Sequence, residues 1–146
     1  MALDPDQLAR KIADHLLSQE GTGPAWGVEI EDAREGYSRI AITVRPDMLN
    51  GHGIVHGGML AAFLDSAMGT AVFHGIGRRA VTLKLSIDYL GPGRIGDWLQ
   101  AEGEVIAHDE DVAQVRGRLY GPRHDVLAGL GIFSLLSRKR VIRTRS

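Results

Sequence analysis

The chain has no cysteine among its 146 residues, which excludes disulfides, thiolate nucleophiles and cysteine-based zinc sites. Aromatic residues make up only 5% and nowhere interleave with a basic patch, so no nucleic-acid partner is expected. No stretch reaches the roughly 20 uninterrupted apolar residues of a membrane span. The start, MALDPDQLARKIADHLLSQEG, lacks the basic end and apolar run of a signal peptide. A cytoplasmic location and no membrane partner are the expectations. Also missing are the G-x-S-x-G elbow, the G-x-G-x-x-G loop and the P-loop, which removes three common routes to hydrolysis or nucleotide binding.

What remains is an ordinary globular composition, 44% hydrophobic and 24% charged, of a length that fits one domain spanning 1–146. Charge is uneven. Five of the 17 Lys and Arg sit in the tail 138–146, RKRVIRTRS, while all 18 Asp and Glu precede it. A basic tail can engage phosphates or an acidic partner, or simply be solvated.

Apolar residues at Leu8, Ile12, Leu16 and Leu17 have helical spacing and predict an N-terminal helix within 1–20. AWGVEIEDA and GYSRIAITV read as a hairpin turning near Glu35 and Gly36. From about 58 to 74 the residues are helix formers and nearly all apolar, so this helix is expected to be buried on every face. Period-two alternation then sets in: Val81, Leu83, Leu85, Ile87 and Tyr89 alternate with Thr82, Lys84, Ser86 and Asp88. Three further strand-like runs follow, WLQAEGEVIAH, DVAQVRGRLYG and DVLAGLGIFSLLS. The order predicts an α+β fold with an antiparallel sheet wrapped around a central helix. One sheet cannot surround a helix that is apolar all round, so a homodimer is expected from patterning alone.

Inside that apolar helix stands one carboxylate, Asp65, between Leu64 and Ser66. Burying an unpaired carboxylate is expensive and often functional; the alternative is an interface ion pair. Ahead of it runs NGHGIVHGG, with Asn50 opening a turn and His56 preceding Gly57 and Gly58 at the helix start. First-turn amides lack intrahelical partners and carry the positive end of the helix dipole, which suits an oxyanion formed when a carbonyl is attacked. Gly57 and Asp65 are eight residues apart, about 12 Å along a helix at about 1.5 Å per residue. They cannot both serve one carbonyl, which needs its donors and base within about 3 Å. Two antiparallel helices would bring the Gly57 end of one to the Asp65 region of the other, so the sites are expected at the dimer interface. Ala61 and Ala62 one turn before the acid, and Met68 and Gly69 one turn after, leave room for a ligand. Gly58, Ala62, Met68 and Gly69 are the candidate substrate-binding positions. Plainer readings stand beside these: close packing for the glycines, an Asx-turn for Asn50, a helix cap for His56. His52 and His56 are four apart, but the glycines around them disfavour the helix that a zinc pair would use, so no metal is expected.

NGHGIVHGG followed by LAAFLDSAMG, with IDYLGPGRIGDWLQAEGEVI further on, resembles the hotdog-fold acyl-CoA thioesterases, specifically the phenylacetate-degradation (PaaI-type) branch. The likeness runs over nearly the whole chain. It implies sheets joined edge to edge in dimers, assembly into tetramers of two dimers, and hydrolysis of acyl- or aryl-CoA thioesters, with coenzyme A as part of the substrate and no separate cofactor. Carried over by position, Asp65 would be nucleophile or general base, the Gly57 amide would hold the thioester oxygen, His56 would orient that loop, and Asn50 would position water or carbonyl. Thr82 would help hold the water, although alternation puts it opposite Val81 and Leu83. An ionised, solvated carboxylate is a weak base, and apolar surroundings make one stronger. Arg78, Arg79, Lys84, Arg94 and the basic tail are candidates for the coenzyme A phosphates, and Phe63, Met68, Phe73, Tyr89 and Trp98 for the acyl pocket. A non-catalytic acyl-CoA binding or sensing module of the same fold is the alternative.

Overall fold

The computed structural model describes residues 27–137; the expected N-terminal helix and the basic tail lie outside them. Strands β1 (Glu29–Arg34) and β2 (Tyr37–Thr43) form the anticipated hairpin. Its turn passes through Gly36 at φ 71°, a conformation that glycine adopts without strain. A 3-10 turn at Pro46–Met48 and the glycine-rich loop then lead into helix α1 (Gly57–Ile76). After it come β3 (Ala80–Tyr89), β4 (Trp98–His108), β5 (Val112–Tyr120) and β6 (Asp125–Leu135). The six strands form one antiparallel sheet in the order β1-β2-β4-β5-β6-β3.

Helix α1 is longer than the 58–74 expected, because it ends only where Gly77 turns left-handed at φ 70° and donates back to the Phe73 carbonyl. With 20 residues it meets, by length and composition, the measure of a membrane span, contrary to the expectation from sequence. Its apolar face lies on its own sheet instead: Leu60, Phe63, Leu64, Ala67, Met68, Ala71 and Val72 are buried. The expectation of burial on every face does not hold within one chain. Gly58, Asp65, Ser66, Gly69 and Thr70 stand half-buried or exposed, because the sheet curves around one side of the helix only.

Glycines explain how closely the helix can lie. Ser38, Gly103, Gly117 and Gly129 are successive register partners across β2, β4, β5 and β6, so all four face the helix in one row. A Cβ at position 103 would come within 2.6 Å of the Ala67 carbonyl oxygen and 2.8 Å of Met68 Cα. At 117 it would run into Met68 Cε and Leu64 Cδ1. The row is a trough in which backbone meets backbone, and glycine is the residue that permits such an approach. At its end the buried Ser38 hydroxyl donates to the Ala67 carbonyl at 2.6 Å, so the close contact leaves no buried hydroxyl unsatisfied.

Strand β3 carries an irregularity that decides which of its side chains face the helix. Its register with β6 runs from Ala80–Leu135 and Thr82–Phe133 to Lys84–Ile132 and Leu85–Gly131, so Leu83 is an extra, bulged residue. Each side of the bulge therefore alternates on its own. Ala80, Thr82, Leu85, Ile87 and Tyr89 sit opposite Leu135, Phe133, Gly131, Gly129 and Leu127, the residues of β6 that face the helix. Thr82 is on the helix side and Val81 is not, which reverses the simple alternation.

Candidate active site

The loop before α1 is held by its own hydrogen bonds. Asn50 Oδ1 accepts from the His52 amide at 2.9 Å and the Ile54 amide at 3.4 Å, while the Asn50 amide donates to the Ile54 carbonyl at 2.8 Å. Asn50 is thus an Asx-turn residue, the plainer of its two readings. The loop is also tied to the turn between β3 and β4. Val55 donates to the Gly93 carbonyl at 2.9 Å, and Ile54 bridges Arg94. Asp97 fixes that turn, accepting from the Arg94 amide at 2.9 Å and from Arg123 Nη2 at 2.6 Å. Burial alone would push the Asp97 carboxyl up, but Arg123 and the Arg94 amide outweigh it and hold it below the usual carboxylate range.

His56 caps the helix through its backbone: its carbonyl accepts from the Met59 and Leu60 amides at 3.0 and 3.1 Å, and its amide donates to the Met48 carbonyl at 3.0 Å. Its exposed side chain makes no cap bond. Among the described residues, the Gly57 and Gly58 amides have no protein acceptor. They are two adjacent free donors at a helix N-terminus. His52 and His56 lie in the loop ahead of the helix and so do not share a helical face.

Asp65 lies half-buried on the uncovered side of α1, less buried than its apolar neighbours suggested. Thr82 Oγ1 donates to its Oδ1 at 2.7 Å. The bulge at Leu83 makes this contact possible, so Thr82 stands beside the acid, as the resemblance implies and simple alternation opposes. Ser66, next to the acid, is back-bonded to the Ala62 carbonyl at 2.9 Å. The helix is continuous from 57 to 76, so Gly57 and Asp65 remain about 12 Å apart along it.

The other candidates divide. Gly58, Ala62 and Gly69 share the uncovered side with Asp65, and a Cβ at Gly58 or Gly69 would meet nothing within 4 Å. Met68 does not join them: it is fully buried against Gly117 and Gly131, because it points into the sheet. Phe63 is core as well, whereas Trp98 is 39% exposed. The Arg78 guanidinium is committed to the carbonyls of Glu110, Leu135 and Leu136, a clamp on the end of the sheet that leaves little for a phosphate. Lys84 and Arg94 are exposed. Two concave regions of the single chain lie away from this chemistry. One, of about 570 Å³, is on the outer sheet face by Tyr37, Glu102 and Arg118; the other, of about 700 Å³, is at the β4–β5 turn by Arg78 and Asp109.

Ser38 escaped the sequence reading, and Tyr89, read there as a candidate for the acyl pocket, has a partner that reading did not give it. Ser38 holds the helix at Ala67, and the Tyr89 hydroxyl donates to the Gly57 carbonyl at 2.9 Å. The signal present in the sequence was the set of strand-interior glycines, which marks close backbone approach.

A curved antiparallel sheet around one helix, an acid on that helix paired with a hydroxyl on β3, and free amides at the helix start define a hotdog-type protein with a site suited to an activated carbonyl. Residues 52–128 match the family model of the thioesterase superfamily. The acyl-coenzyme A thioesterase PaaI of Escherichia coli is 36% identical over 93 residues, covering 64% of this chain and 66% of that one, just under two thirds. The solved structure of E. coli PaaI superposes with a TM-score of 0.77 at 27% identity, covering 88% of this chain and 91% of that one. A thioesterase protein from Streptococcus pneumoniae, solved with coenzyme A, gives 0.73 at 26% identity over 77% and 91%. The chain belongs to the thioesterase superfamily and shares the hotdog fold of E. coli PaaI.

Proposed function

We propose that the chain hydrolyses acyl- or aryl-CoA thioesters to the free acid and coenzyme A, at sites formed by two protomers. The observation that carries this reading is the Asp65–Thr82 pair at 2.7 Å on the uncovered side of the helix that begins with free amides. In the reaction the Gly57 amide stabilises the oxygen of the attacked carbonyl. Asp65 either attacks the carbonyl itself or takes the proton of an attacking water, with Thr82 orienting the carboxylate. The carbon–sulfur bond breaks, the thiolate of coenzyme A leaves, and water supplies the new oxygen. Asn50 and His56 keep the amide-bearing loop in shape. A thiolate is a good leaving group, so one carboxylate and an oxyanion site suffice without a further cofactor.

The dimer has support in β3. Among the described residues it lies at the sheet edge with only β6 beside it, and Val81 and Leu83 are 50% and 60% exposed. A ten-residue edge strand with exposed apolar side chains is a template for another strand. Antiparallel pairing of two such edges about a centre at Ser86, with the bulged Leu83 left out of the pairing, sets Thr82 of one chain opposite Tyr89 of its partner. Thr82 marks the Asp65 half-site and Tyr89 the Gly57 half-site, so that register joins the two. A tetramer of such dimers is the further assembly the resemblance implies.

The test is thiol release from a panel of acyl- and aryl-CoAs by wild type and Asp65→Asn. Loss of the carboxylate is expected to cost on the order of 10²–10⁴-fold in kcat on the preferred substrate. A variant as fast as wild type on every substrate overturns the assignment. Tight binding without turnover by wild type would instead favour the non-catalytic acyl-CoA module.

A further inference from the structure

Hydrolysis at this site assigns one oxyanion donor, the Gly57 amide, and the inference that rests on it concerns a second. Tyr89 closes β3 on the helix-facing side, opposite Leu127. Its hydroxyl donates to the Gly57 carbonyl oxygen at 2.9 Å, and its ring lies against the same residue, where a Cβ would sit 3.2 Å from Cε1. The side chain is 56% exposed, so filling the core does not account for its position.

The Gly57 carbonyl belongs to the Gly57–Gly58 peptide, whose other end is the Gly58 N–H. A peptide is planar, so holding the carbonyl fixes the direction of that N–H. A hydrogen bond received at the carbonyl also polarises the N–H at the far end. The Gly58 amide is free of protein acceptors among the described residues, and the space where a Cβ would stand at position 58 is open to 4 Å. We propose that Tyr89 is a positioning residue that clamps the Gly57–Gly58 peptide and so holds the Gly58 N–H as a second oxyanion donor beside that of Gly57. Tyr89 itself touches none of the reacting atoms. The clamp also gives a reason for glycine at 57, since a side chain there would press on the tyrosine ring that holds the peptide.

Tyr89→Phe removes the hydroxyl and keeps the ring, while Tyr89→Leu removes both. On an acyl-CoA that wild type turns over, Tyr89→Phe is expected to lower kcat about three- to tenfold, the loss of one hydrogen bond acting on the transition state. KM should stay within about twofold, the melting temperature should be close to wild type, and the Gly58 amide proton should move upfield in a 15N-resolved spectrum. An active wild type whose Tyr89→Phe variant matches it in kcat, or leaves the Gly58 signal unmoved, overturns the inference alone. A variant that loses kcat only together with KM and melting temperature, as Tyr89→Leu would if the ring merely packs, overturns it too. A wild type that releases no thiol overturns the function reading first, and the inference falls with it.

Discussion

Gly103→Ala tests the claim that the helix is placed by a glycine trough. The new methyl would meet the Ala67 carbonyl oxygen at 2.6 Å and Met68 Cα at 2.8 Å. Both are backbone atoms, so no rotamer change relieves the contact and the helix itself must move away. Overpacking of this kind costs about 1–3 kcal/mol. Lifting the helix also stretches the Ser38–Ala67 hydrogen bond, now 2.6 Å, which contributes about 0.5–1.5 kcal/mol. Against this, alanine in a strand regains about 0.5–1 kcal/mol over glycine. The net expectation is a loss of about 2–3 kcal/mol, or a fall in melting temperature on the order of 6–12 °C for a domain of this size. Gly117→Ala is the internal control. Its methyl would meet Met68 Cε and Leu64 Cδ1, the ends of flexible side chains, so its cost should be about half as large. Calorimetry on both variants measures the difference, and thiol release measures the consequence for the site. Helix displacement separates Asp65 from Thr82, so Gly103→Ala should lose activity even at temperatures where it is fully folded. A Gly103→Ala protein as stable as wild type, or more stable than Gly117→Ala, would refute the trough.

Leu83→Asp should weaken the proposed dimer, because it sets a carboxylate at a 60% exposed apolar position of the β3 edge that the pairing would cover. Sedimentation should show monomers at concentrations where wild type is dimeric, with activity rising steeply with protein concentration; an unchanged dimer with full activity counts against pairing through β3. Asp97→Asn concerns the turn that supports the loop before α1. Because the folded Asp97 carboxyl lies below its ordinary value, its contribution is present above the unfolded pKa of about 3.9 and is lost as pH falls through the folded value. The variant should therefore melt below wild type at pH 7, and the gap should close as pH drops under about 4. A gap that is absent at pH 7, or that persists undiminished at about pH 2.5, contradicts this account.

Patterns that need only one element at a time were legible in the sequence. The run of helix formers exposed Asp65 as the one acid in an apolar helix, and the rise per residue of a helix is enough to separate it from Gly57. The features that were hidden depend on how strands pair. Thr82 looked misplaced because alternation was extended through Leu83, and a single bulged residue reverses the face of everything before it. Nothing in VTLKLSIDYL marks Leu83 as that residue; the bulge is defined only against β6. The glycines at 103, 117 and 129 likewise carry no polarity for an alternation pattern to read, and they form a row only once two registers are known. Met68 shows the same limit from the helix side. It lies within one turn of Asp65, yet the sheet covers it and leaves Asp65 open, because the gap in coverage is set by which strand stands at the edge. That edge is β3, the strand that also carries Thr82 and Tyr89. The strand that leaves half of the helix bare is thus the one that supplies a hydroxyl to each half-site, which is why fold and chemistry in this chain both turn on how β3 is completed.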